Sequence, residues 1–350
     1  MRFALLATIC SIVLFALMGC AAPAATPTTA PPSSQTTAPP AATSSALVKV
    51  NMAYTAISVA VLPMWVAYDE GFFKQNGIDA SMQYIATSPV LTAAMLSGEV
   101  QIAHAAEEVV LNSDLSGGDV VILASGANRL IFSLYAKPDI TSIADLKGKK
   151  IGVTAHGSST DFAARWFLTK NGLKPDQDVA LVSIGGVPSI LAALQAGGVD
   201  AGVVSPPTSF KAQKAGFKEL VNFADMALPY YQSPVIARKS WVAANPDTVR
   251  KFMKAYVEAV AFIKKNQAAT EQIIGKYTKT TDSTELDGTY NEFNRVLPQA
   301  PYPTTDAIQT GLGLVALDNP KAQGADPAQF FDASWVQELD KSGFIAGLYK

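Results

Sequence analysis

Two segments of the chain that lie 99 residues apart repeat the same order of residue types. Residues 88–100 read SPVLTAAMLSGEV, and residues 187–199 read VPSILAALQAGGV. Both have a proline near the start, which suits the first turn of a helix, and a glycine near the end, which suits helix termination. An apolar stretch follows each glycine, so each segment predicts a helix that leads into a buried strand.

Matching elements precede both copies in the same order. One copy has apolar strands at Val48–Ala53 and Ala80–Ile85, and the other has them at Lys150–Thr154 and Val179–Ile184, with a helical stretch inside each pair. This alternation predicts an α/β fold with a parallel sheet in each unit. Ligands of such sheets bind beyond the carboxyl ends of the strands, so two related units predict a cleft lined by loops from both.

The N-terminal 19 residues have the pattern of an export signal. Arg2 precedes an apolar run over Phe3–Met18, which is shorter than the roughly 20 apolar residues of a membrane span. Cys20 follows the residues Leu-Met-Gly, a pattern similar to the bacterial lipobox, whose cysteine becomes the acylated first residue. We therefore predict a signal peptide over residues 1–19 and lipidation of Cys20; an ordinary N-terminal membrane anchor is the alternative.

Residues 20–46 are predicted to be the lipidated cysteine and a linker. After Cys20 the segment contains only Ala, Pro, Thr, Ser and Gln, so it has no apolar face to bury. The anchor would hold the protein outside the cytoplasm, on the periplasmic or outer face of the cell membrane. The only other cysteine is Cys10, so the sequence after the linker has no disulfide, thiolate nucleophile or cysteine metal site.

Charge and histidine content narrow the partners. The chain carries 27 Lys and Arg against 29 Asp and Glu, and no basic block stands out, so we expect no nucleic-acid partner. Its two histidines, His104 and His156, have no second histidine at the spacing of a zinc site. We therefore expect no metal and no other cofactor, and we expect His104 to end a buried strand.

Three blocks of the sequence resemble the substrate-binding proteins of ABC transporters of the nitrate/sulfonate/taurine type, a family that includes binding proteins for thiamine-pyrimidine precursors. The blocks are residues 63–79 (PMWVAYDEGFFKQNGID), 145–153 (DLKGKKIGV) and 192–207 (AALQAGGVDAGVVSPP). The similarity runs from about residue 48 to about residue 265. It implies a periplasmic-binding-protein type II fold, in which two α/β lobes are joined by two crossing strands.

The resemblance also implies where the lobes divide. We place the crossings at Ile131–Ala136 and Gln232–Ala237, two apolar stretches that flank the second unit. Lobe I would then comprise residues 47–133 and 236–350, and lobe II residues 134–235. A helix predicted over Pro246–Asn266 would pack on lobe I through an apolar stripe at helical spacing. The stripe consists of Val249, Phe252, Met253, Tyr256, Val260 and Ile263.

One loop carries the strongest local signal for a binding site. Residues 156–161 read HGSSTD between a predicted strand and a helix. Glycine lets a ligand approach the backbone, and a helix start with Ser or Thr favours an anion, although the same residues also suit a helix cap without a ligand. The loop matches the anion-facing loop of the family, so the resemblance implies ligand contacts from Gly157, Ser158, Ser159 and Thr160.

Equivalent loops of both units supply the other candidate contacts. These are Thr55, Ser58, Thr87, Ser88, Glu107, Asn128, Gly185 and Ser205. Glu107 either faces a ligand that carries a donor or a cation, or turns back to the N-terminus of its own helix. Arg129 either pairs with an anion or forms a salt bridge near the hinge, and Trp65 and Tyr68 either pack in the core or line the cleft.

The resemblance implies a monomeric extracytoplasmic solute-binding lipoprotein that is not an enzyme. It would deliver a small organic anion or zwitterion, similar to a sulfonate, taurine or nitrate, to an ABC permease by lobe closure. Uptake of a thiamine-pyrimidine precursor or an aromatic acid is an alternative, as is a ligand-sensing module that docks on a receptor. Fungal pyrimidine synthases also resemble these blocks, but they rely on a cysteine-rich motif that is missing after Cys20.

Overall fold

The structure is a computed structural model that describes residues 46–226 and 228–350. The predicted signal peptide over residues 1–19, the lipidation site Cys20 and the linker up to residue 45 therefore lie outside the described residues. Within the described ranges, no helix is both long enough and apolar enough to cross a bilayer.

Strands and helices alternate along most of the described chain. The strands are β1 (Val48–Tyr54), β2 (Ile78–Tyr84), β3 (Ile102–His104), β4 (Val120–Ala124), β5 (Ser133–Ala136), β6 (Lys150–Val153), β7 (Ala180–Ser183), β8 (Ala201–Val204), β9 (Lys218–Asn222) and β10 (Val235–Arg238). The α-helices are α1 (Leu62–Asp69), α2 (Phe72–Gln75), α3 (Ser88–Ser97), α4 (Glu107–Leu115), α5 (Ser159–Lys170), α6 (Val187–Gln195), α7 (Thr208–Lys214), α8 (Lys239–Ala244), α9 (Pro246–Lys265), α10 (Gln267–Thr278), α11 (Ser283–Val296), α12 (Thr305–Asp318), α13 (Ser334–Lys341) and α14 (Phe344–Gly347). Short 3-10 segments lie at Val59–Val61, Ala144–Leu146, Phe223–Met226, Pro320–Ala322 and Pro327–Phe330.

The strands form two five-stranded sheets with the same internal arrangement. The first has the order β2-β1-β3-β10-β4, and the second has the order β7-β6-β8-β5-β9. In each sheet the first three strands are parallel, and they are the strands that the sequence repeat predicts. The predicted α/β fold of two related units is therefore confirmed.

The sheets are mixed rather than purely parallel, which corrects the sequence prediction. Strand β10 runs antiparallel to both β3 and β4, and β5 runs antiparallel to both β8 and β9. Strand β5 is the first strand after the chain passes from the first sheet to the second, and β10 is the first strand after it returns. Each enters its sheet from the side of the other sheet, so its direction is reversed relative to the strands of the repeat.

The repeated proline and glycine residues account for the matching helices. Pro89 and Pro188 each occupy the second residue of a helix, where the missing N–H is not needed. Gly98 ends α3 and Gly197 follows the end of α6, both with left-handed backbone at φ 81° and 76°. A left-handed residue terminates a helix, and glycine adopts this conformation without a steric cost.

We propose that the two sheets with their helices form the two lobes, lobe I at residues 47–133 plus 236–350 and lobe II at residues 134–235. The chain leaves the first sheet after β4 and returns to it at β10. Ser133 already pairs in the second sheet and Val235 already pairs in the first, so each strand starts one residue before the proposed boundary.

The apolar stripe of α9 packs in the core of the first sheet, as the sequence predicts. All six of its residues are fully buried. Trp65 is fully buried as well and stacks on Tyr277, with ring centroids 4.5 Å apart. Trp65 is therefore a core residue, whereas Tyr68 is exposed, and neither side chain lines the cavity described below.

Candidate functional site

A cavity of about 340 Å³ lies between the two sheets, at the carboxyl ends of the parallel strands. The first sheet and its helices contribute the residues Thr55, Ala56, Ile57, Ser58, Ala60, Tyr84, Ala86, Thr87, Ser88 and Ala106. The second sheet and its helices contribute Thr154, Ala155, Ser158, Ser159, Thr160, Gly185, Gly186, Val187, Pro188 and Ser189. Phe132, Gln232 and Ser233, from the two passages between the sheets, complete the wall.

Four helical segments begin at the cavity. Ser58 caps the 3-10 turn that leads into α1, and Ser158 caps α5, each through its side-chain oxygen. Thr87 and Gly186 precede α3 and α6 and make no side-chain cap hydrogen bond. The first backbone N–H groups of a helix have no partner inside the helix, so this arrangement directs several donors and four positive dipole ends at one space.

The side chains of the cavity wall are uncharged. None of the lining residues within the described chain is Asp, Glu, Lys, Arg or His. The polar groups are hydroxyls, one glutamine amide and backbone amides, and the rest of the wall is apolar. Because the wall carries no charged side chain, the helix N-termini set the electrostatic potential inside the cavity. That potential is positive and favours an anion.

A cluster of hydroxyls fixes the loop that precedes α5. The Thr154 Oγ1 lies 2.8 Å from both the Ser158 Oγ and the Thr160 Oγ1, and those two oxygens lie 2.9 Å apart. The Ser158 hydroxyl also donates to the carbonyl of Ala155 at 2.7 Å. These bonds hold the start of the helix in place, so its N–H groups keep one direction toward the cavity.

Hydrogen bonds connect the two halves of the wall. The Ser205 hydroxyl donates to the Ser58 Oγ at 3.0 Å, from one sheet to the other. The Ser159 hydroxyl donates to the carbonyl of Gln232 at 3.0 Å, and the side-chain oxygen of Gln232 accepts from the N–H of Ile131 at 2.7 Å. Gln232 thus joins both passages between the sheets to the start of α5.

The structure brings eight of the sequence-predicted residues together in the cavity wall. They are Thr55, Ser58, Thr87, Ser88, Ser158, Ser159, Thr160 and Gly185. Glu107, Asn128, Gly157 and Ser205 lie elsewhere. Gly157 lies on a neighbouring groove, and Ser205 lies behind Ser58 as its hydrogen-bond partner.

Glu107 turns away from the cavity into the interior of the first lobe. Its side chain is fully buried, and its Oε2 accepts from the backbone N–H of Tyr231 at 3.0 Å. Burial raises the pKa of Glu107 well above its usual range. The carboxylate packs against Gly311 of α12, where there is no room for a Cβ atom. Of the two alternatives for Glu107, the structure therefore favours the one in which it turns away from the ligand, although its hydrogen-bond partner is the N–H of Tyr231. The reason is the packing of α12 on α4.

Asn128 and Arg129 lie in a separate depression beside Tyr231 and Tyr302. Both are exposed, and the guanidinium of Arg129 donates to the carbonyl of Ala224 at 3.4 Å. Neither residue lines the cavity, and no carboxylate pairs with Arg129 among the described residues. The chain turns outward after β4 before it reaches β5, and this carries both side chains away from the strand ends.

Sequence reasoning missed three larger side chains of the wall, Tyr84, Phe132 and Gln232. Tyr84 ends β2, and its neighbour across the sheet is Tyr54, with which it pairs in register. Gln232 is a lone amide in an apolar stretch, and it is 4% exposed. A buried amide needs hydrogen-bond partners. The presence of a glutamine at the start of an apolar stretch was therefore the sequence signal that position 232 has a specific role.

The two histidines occupy different environments. His104 ends β3 as predicted, is fully buried, and its Nδ1 lies 2.7 Å from the carbonyl of Ser233. Burial lowers the pKa of His104 to about 4, so the ring is neutral. His156 is exposed and lies near Asp161 and Asp318 on the neighbouring groove. The described residues contain no cluster of three or more metal-ligating side chains.

Two mixed α/β lobes around a cavity of small-molecule size define a periplasmic-binding-protein fold. A family model described as NMT1/THI5 like matches residues 58–270, and the chain belongs to this family. The family resemblance and the fold predicted from the sequence are thereby confirmed.

Individual relatives carry names of binding proteins. A relative from Brucella abortus, named only as a binding protein, is 29% identical over 229 residues, which cover 61% of this chain and 66% of the relative. The taurine-binding periplasmic protein of Escherichia coli is 28% identical over 219 residues, 61% of this chain and 65% of that protein. The chain therefore spans slightly less than two thirds of the length of these relatives.

A solved structure shows the same fold. The alkanesulfonate-binding protein of Xanthomonas axonopodis pv. citri, bound to MOPS, superposes with a TM-score of 0.66 at 17% identity. The superposition covers 82% of this chain and 99% of that chain.

Proposed function

We propose that this protein is the solute-binding component of an ABC importer and that its ligand is a small organic anion. The observation that carries the proposal is the set of four helical N-termini at a cavity whose side chains are uncharged. An anion gains hydrogen bonds from the unpaired backbone N–H groups and a favourable interaction with the helix dipoles. A cation would find no carboxylate in the wall.

The size and the apolar part of the wall favour an organic ligand over a bare inorganic anion. The cavity, at about 340 Å³, lies at the lower end of the roughly 300–1,000 Å³ of small-molecule sites. Ile57, Tyr84, Phe132 and Val187 provide apolar surface that nitrate could not use. An acid group at the helix starts and a hydrocarbon or aromatic body against these side chains would fill the space.

Lobe closure is the proposed mechanism of capture. Both lobes contribute helix starts to the cavity, so a ligand bound to one lobe presents acceptors to the other and favours the arrangement in which both contact it. The direct bond between Ser58 and Ser205 adds a contact that exists only when the lobes are together. A permease that recognises this arrangement would accept loaded protein in preference to empty protein.

Attachment to a membrane completes the proposal. We propose that residues 1–19 are removed as a signal peptide, that Cys20 is lipidated, and that the linker holds a monomeric domain near the permease outside the cytoplasm. Relatives named as periplasmic support an extracytoplasmic location. A receptor that senses the loaded form is the alternative partner.

We further propose that the protein is not an enzyme. The wall of the cavity offers no titratable side chain apart from Tyr84, and burial raises the pKa of that phenol. General acid–base catalysis near neutral pH needs a group with a pKa near 7, and nucleophilic catalysis needs an activated nucleophile. The hydroxyls of Ser158 and Thr160 bond to each other, to Thr154 and to the backbone. The Ser159 hydroxyl donates to the carbonyl of Gln232 and accepts from the phenol of Tyr230, so none of the three donates to a general base.

Two measurements test the ligand class. Native mass spectrometry of the freshly purified protein identifies what it retains, and titration calorimetry with taurine, butanesulfonate, benzoate, an aminopyrimidine and nitrate ranks the classes. We expect an organic anion to be retained and to bind more tightly than nitrate. Retention of an uncharged or cationic aminopyrimidine would favour the thiamine-precursor alternative, and tight binding of nitrate with weak binding of every organic anion would contradict the proposal.

A further inference from the structure

Three carboxyl groups are buried next to one another at the junction of the two lobes. Glu107 and Glu108 begin α4 in the first lobe, Asp161 lies in the first turn of α5 in the second, and the three are 0%, 4% and 3% exposed. One guanidinium, that of Arg165, pairs with Asp161 at 2.9 Å. Buried charges normally have partners, so this group of acids requires an explanation.

A chain of polar groups leads from Glu108 to the ligand cavity. The Glu108 Oε1 is in hydrogen-bond contact with the phenol oxygen of Tyr230, which lies 3.3 Å from the Ser159 Oγ. The Ser159 hydroxyl in turn donates to the carbonyl of Gln232 at 3.0 Å, and both Ser159 and Gln232 line the cavity. Tyr230 packs on Phe162 in the core of the second lobe, so its contact with Glu108 crosses from one lobe to the other.

The number of protons in this chain depends on Glu108. Three contacts, from Glu108 to Tyr230, from Tyr230 to Ser159 and from Ser159 to Gln232, each need one hydrogen. The phenol and the serine hydroxyl supply one each, and the carbonyl of Gln232 supplies none. A protonated Glu108 supplies the third, and all donors then point toward the cavity. An ionised Glu108 leaves one of the three contacts without a hydrogen.

The surroundings also favour the protonated form of Glu108. The charged and titratable side chains near it come from three places. They are Glu107 on its own helix, His156, Asp161, Arg165 and Tyr230 of the second lobe, and Asp318 at the end of α12 with Lys321 in the 3-10 segment that follows. Of the three basic side chains, Arg165 is engaged by Asp161 and Asp176, His156 is exposed beside Asp161 and Asp318, and Lys321 is exposed. The second carboxyl oxygen of Glu108 is buried without a partner. Burial raises the pKa of Glu108 to about 7.

We propose that Glu108 is a proton-binding site that couples lobe closure to proton uptake; this inference rests on the lobe motion of the proposed function. Separation of the lobes would expose Glu108 to water and part it from Asp161, and its affinity for the proton would fall because burial is the largest cause of the raised pKa. Loss of the hydrogen bond from Tyr230 acts in the opposite direction and is the smaller effect. The neighbouring Glu107 has no such role. It contacts α12 of the first lobe and the backbone N–H of Tyr231, a residue of the return passage whose ring packs in the core of the first sheet.

The sign of the coupling follows from the direction of this change. The closed form binds the proton more tightly than the open form, so closing takes up a proton at any pH between the two pKa values. The equilibrium constants for closure and for ligand binding would then fall by up to tenfold for each pH unit as the pH rises between the two pKa values toward 7. Above the higher pKa both constants would become independent of pH.

The test uses a covalent lock and needs no ligand. The double variant Ser58→Cys and Ser205→Cys places two thiols where two hydroxyl oxygens now lie 3.0 Å apart, so oxidation should hold the lobes together and reduction should release them. Infrared spectroscopy of the full chain over pH 4 to 9 follows the protonated carboxyl groups in both forms. Glu108→Gln, added to the lock, identifies the band of Glu108, and Glu107→Gln is the matched control one residue away.

We expect Glu108→Gln to remove a carboxylic acid band that titrates near pH 7 in the locked protein and at least one pH unit lower in the reduced protein. Glu107→Gln should leave that titration unchanged. Equal midpoints in the two forms, or no band lost with Glu108→Gln, would overturn the proposal. Small-angle scattering of the unlocked chain is a second readout. The radius of gyration should increase between pH 5 and pH 8 in the wild type and stay constant in Glu108→Gln, whose amide supplies the missing hydrogen at every pH.

Discussion

Replacement of Thr87 by Asp would place a negative charge at the start of α3 without weakening the helix. Thr87 has the extended backbone of an N-cap, with φ −132° and ψ 141°, and its side chain makes no cap hydrogen bond. Asp and Asn are both good N-cap residues, so both variants should fold at least as stably as the wild type. They differ in charge alone, which makes Thr87→Asn the matched control.

The size of the effect follows from the dimensions of the cavity. A sphere of its volume has a radius of about 4 Å, which places a carboxylate on the wall about 6 Å from the centre of a ligand. At that separation and an effective dielectric constant of about 20, two like charges repel by roughly 2.8 kcal/mol, or about a hundredfold in Kd. Thr87 is exposed, so solvent and salt screen part of this repulsion. We therefore expect the affinity for the anion to fall by between tenfold and about a hundredfold.

Titration calorimetry at low and at high salt measures the difference, with the organic anion that binds the wild type most tightly. Thr87→Asp should bind more weakly than Thr87→Asn at low salt, and the gap should narrow as salt increases. Circular dichroism and thermal unfolding verify that both variants are folded. Equal affinities of the two folded variants, or tighter binding of the anion by Thr87→Asp, would refute the assignment of the α3 N-terminus to the anion site.

Three further predictions concern attachment, stability and acid sensitivity. Cys20→Ala should release the protein from membranes or stop its maturation, and a wild-type protein that incorporates no labelled fatty acid would contradict the lipoprotein assignment. A ligand present at a hundred times its Kd should raise the free energy of unfolding by about 2.7 kcal/mol and reduce the radius of gyration, whereas stabilisation without compaction would exclude a large closure. His104 has its pKa lowered to about 4 in the folded protein, so the unfolded chain takes up the proton first and stability should fall as the pH drops from about 6.5 toward 4. The decrease in the free energy of unfolding, measured by urea titration, should reach up to about 3 kcal/mol and should be absent in His104→Gln. An equal decrease in that variant would show that other groups cause the acid sensitivity.

The sequence determined the repeated part of the fold because that part is encoded locally. A proline near each helix start and a glycine near each helix end set the lengths of α3 and α6. The apolar stretches before and after these helices set the parallel strands. Serine, threonine and glycine before a helix indicated all four N-termini at the cavity, through Ser58, Thr87, Ser158 and Gly185, which directly precedes the cap residue of α6. These features depend on a few consecutive residues, so a single chain is enough to recognise them.

Only the tertiary structure decided how the two halves meet. Whether an acid at the start of α4 faces the cavity depends on the rotation of the helix, which the packing of α12 sets from some 200 residues away in the chain, so Glu107 turns inward and Glu108 reaches the lobe junction. The reversed strands β5 and β10, and the position of Gln232 between them, follow from where the chain passes from one sheet to the other. These contacts join residues that are far apart in sequence and carry no periodic pattern, and therefore the sequence alone could not place them.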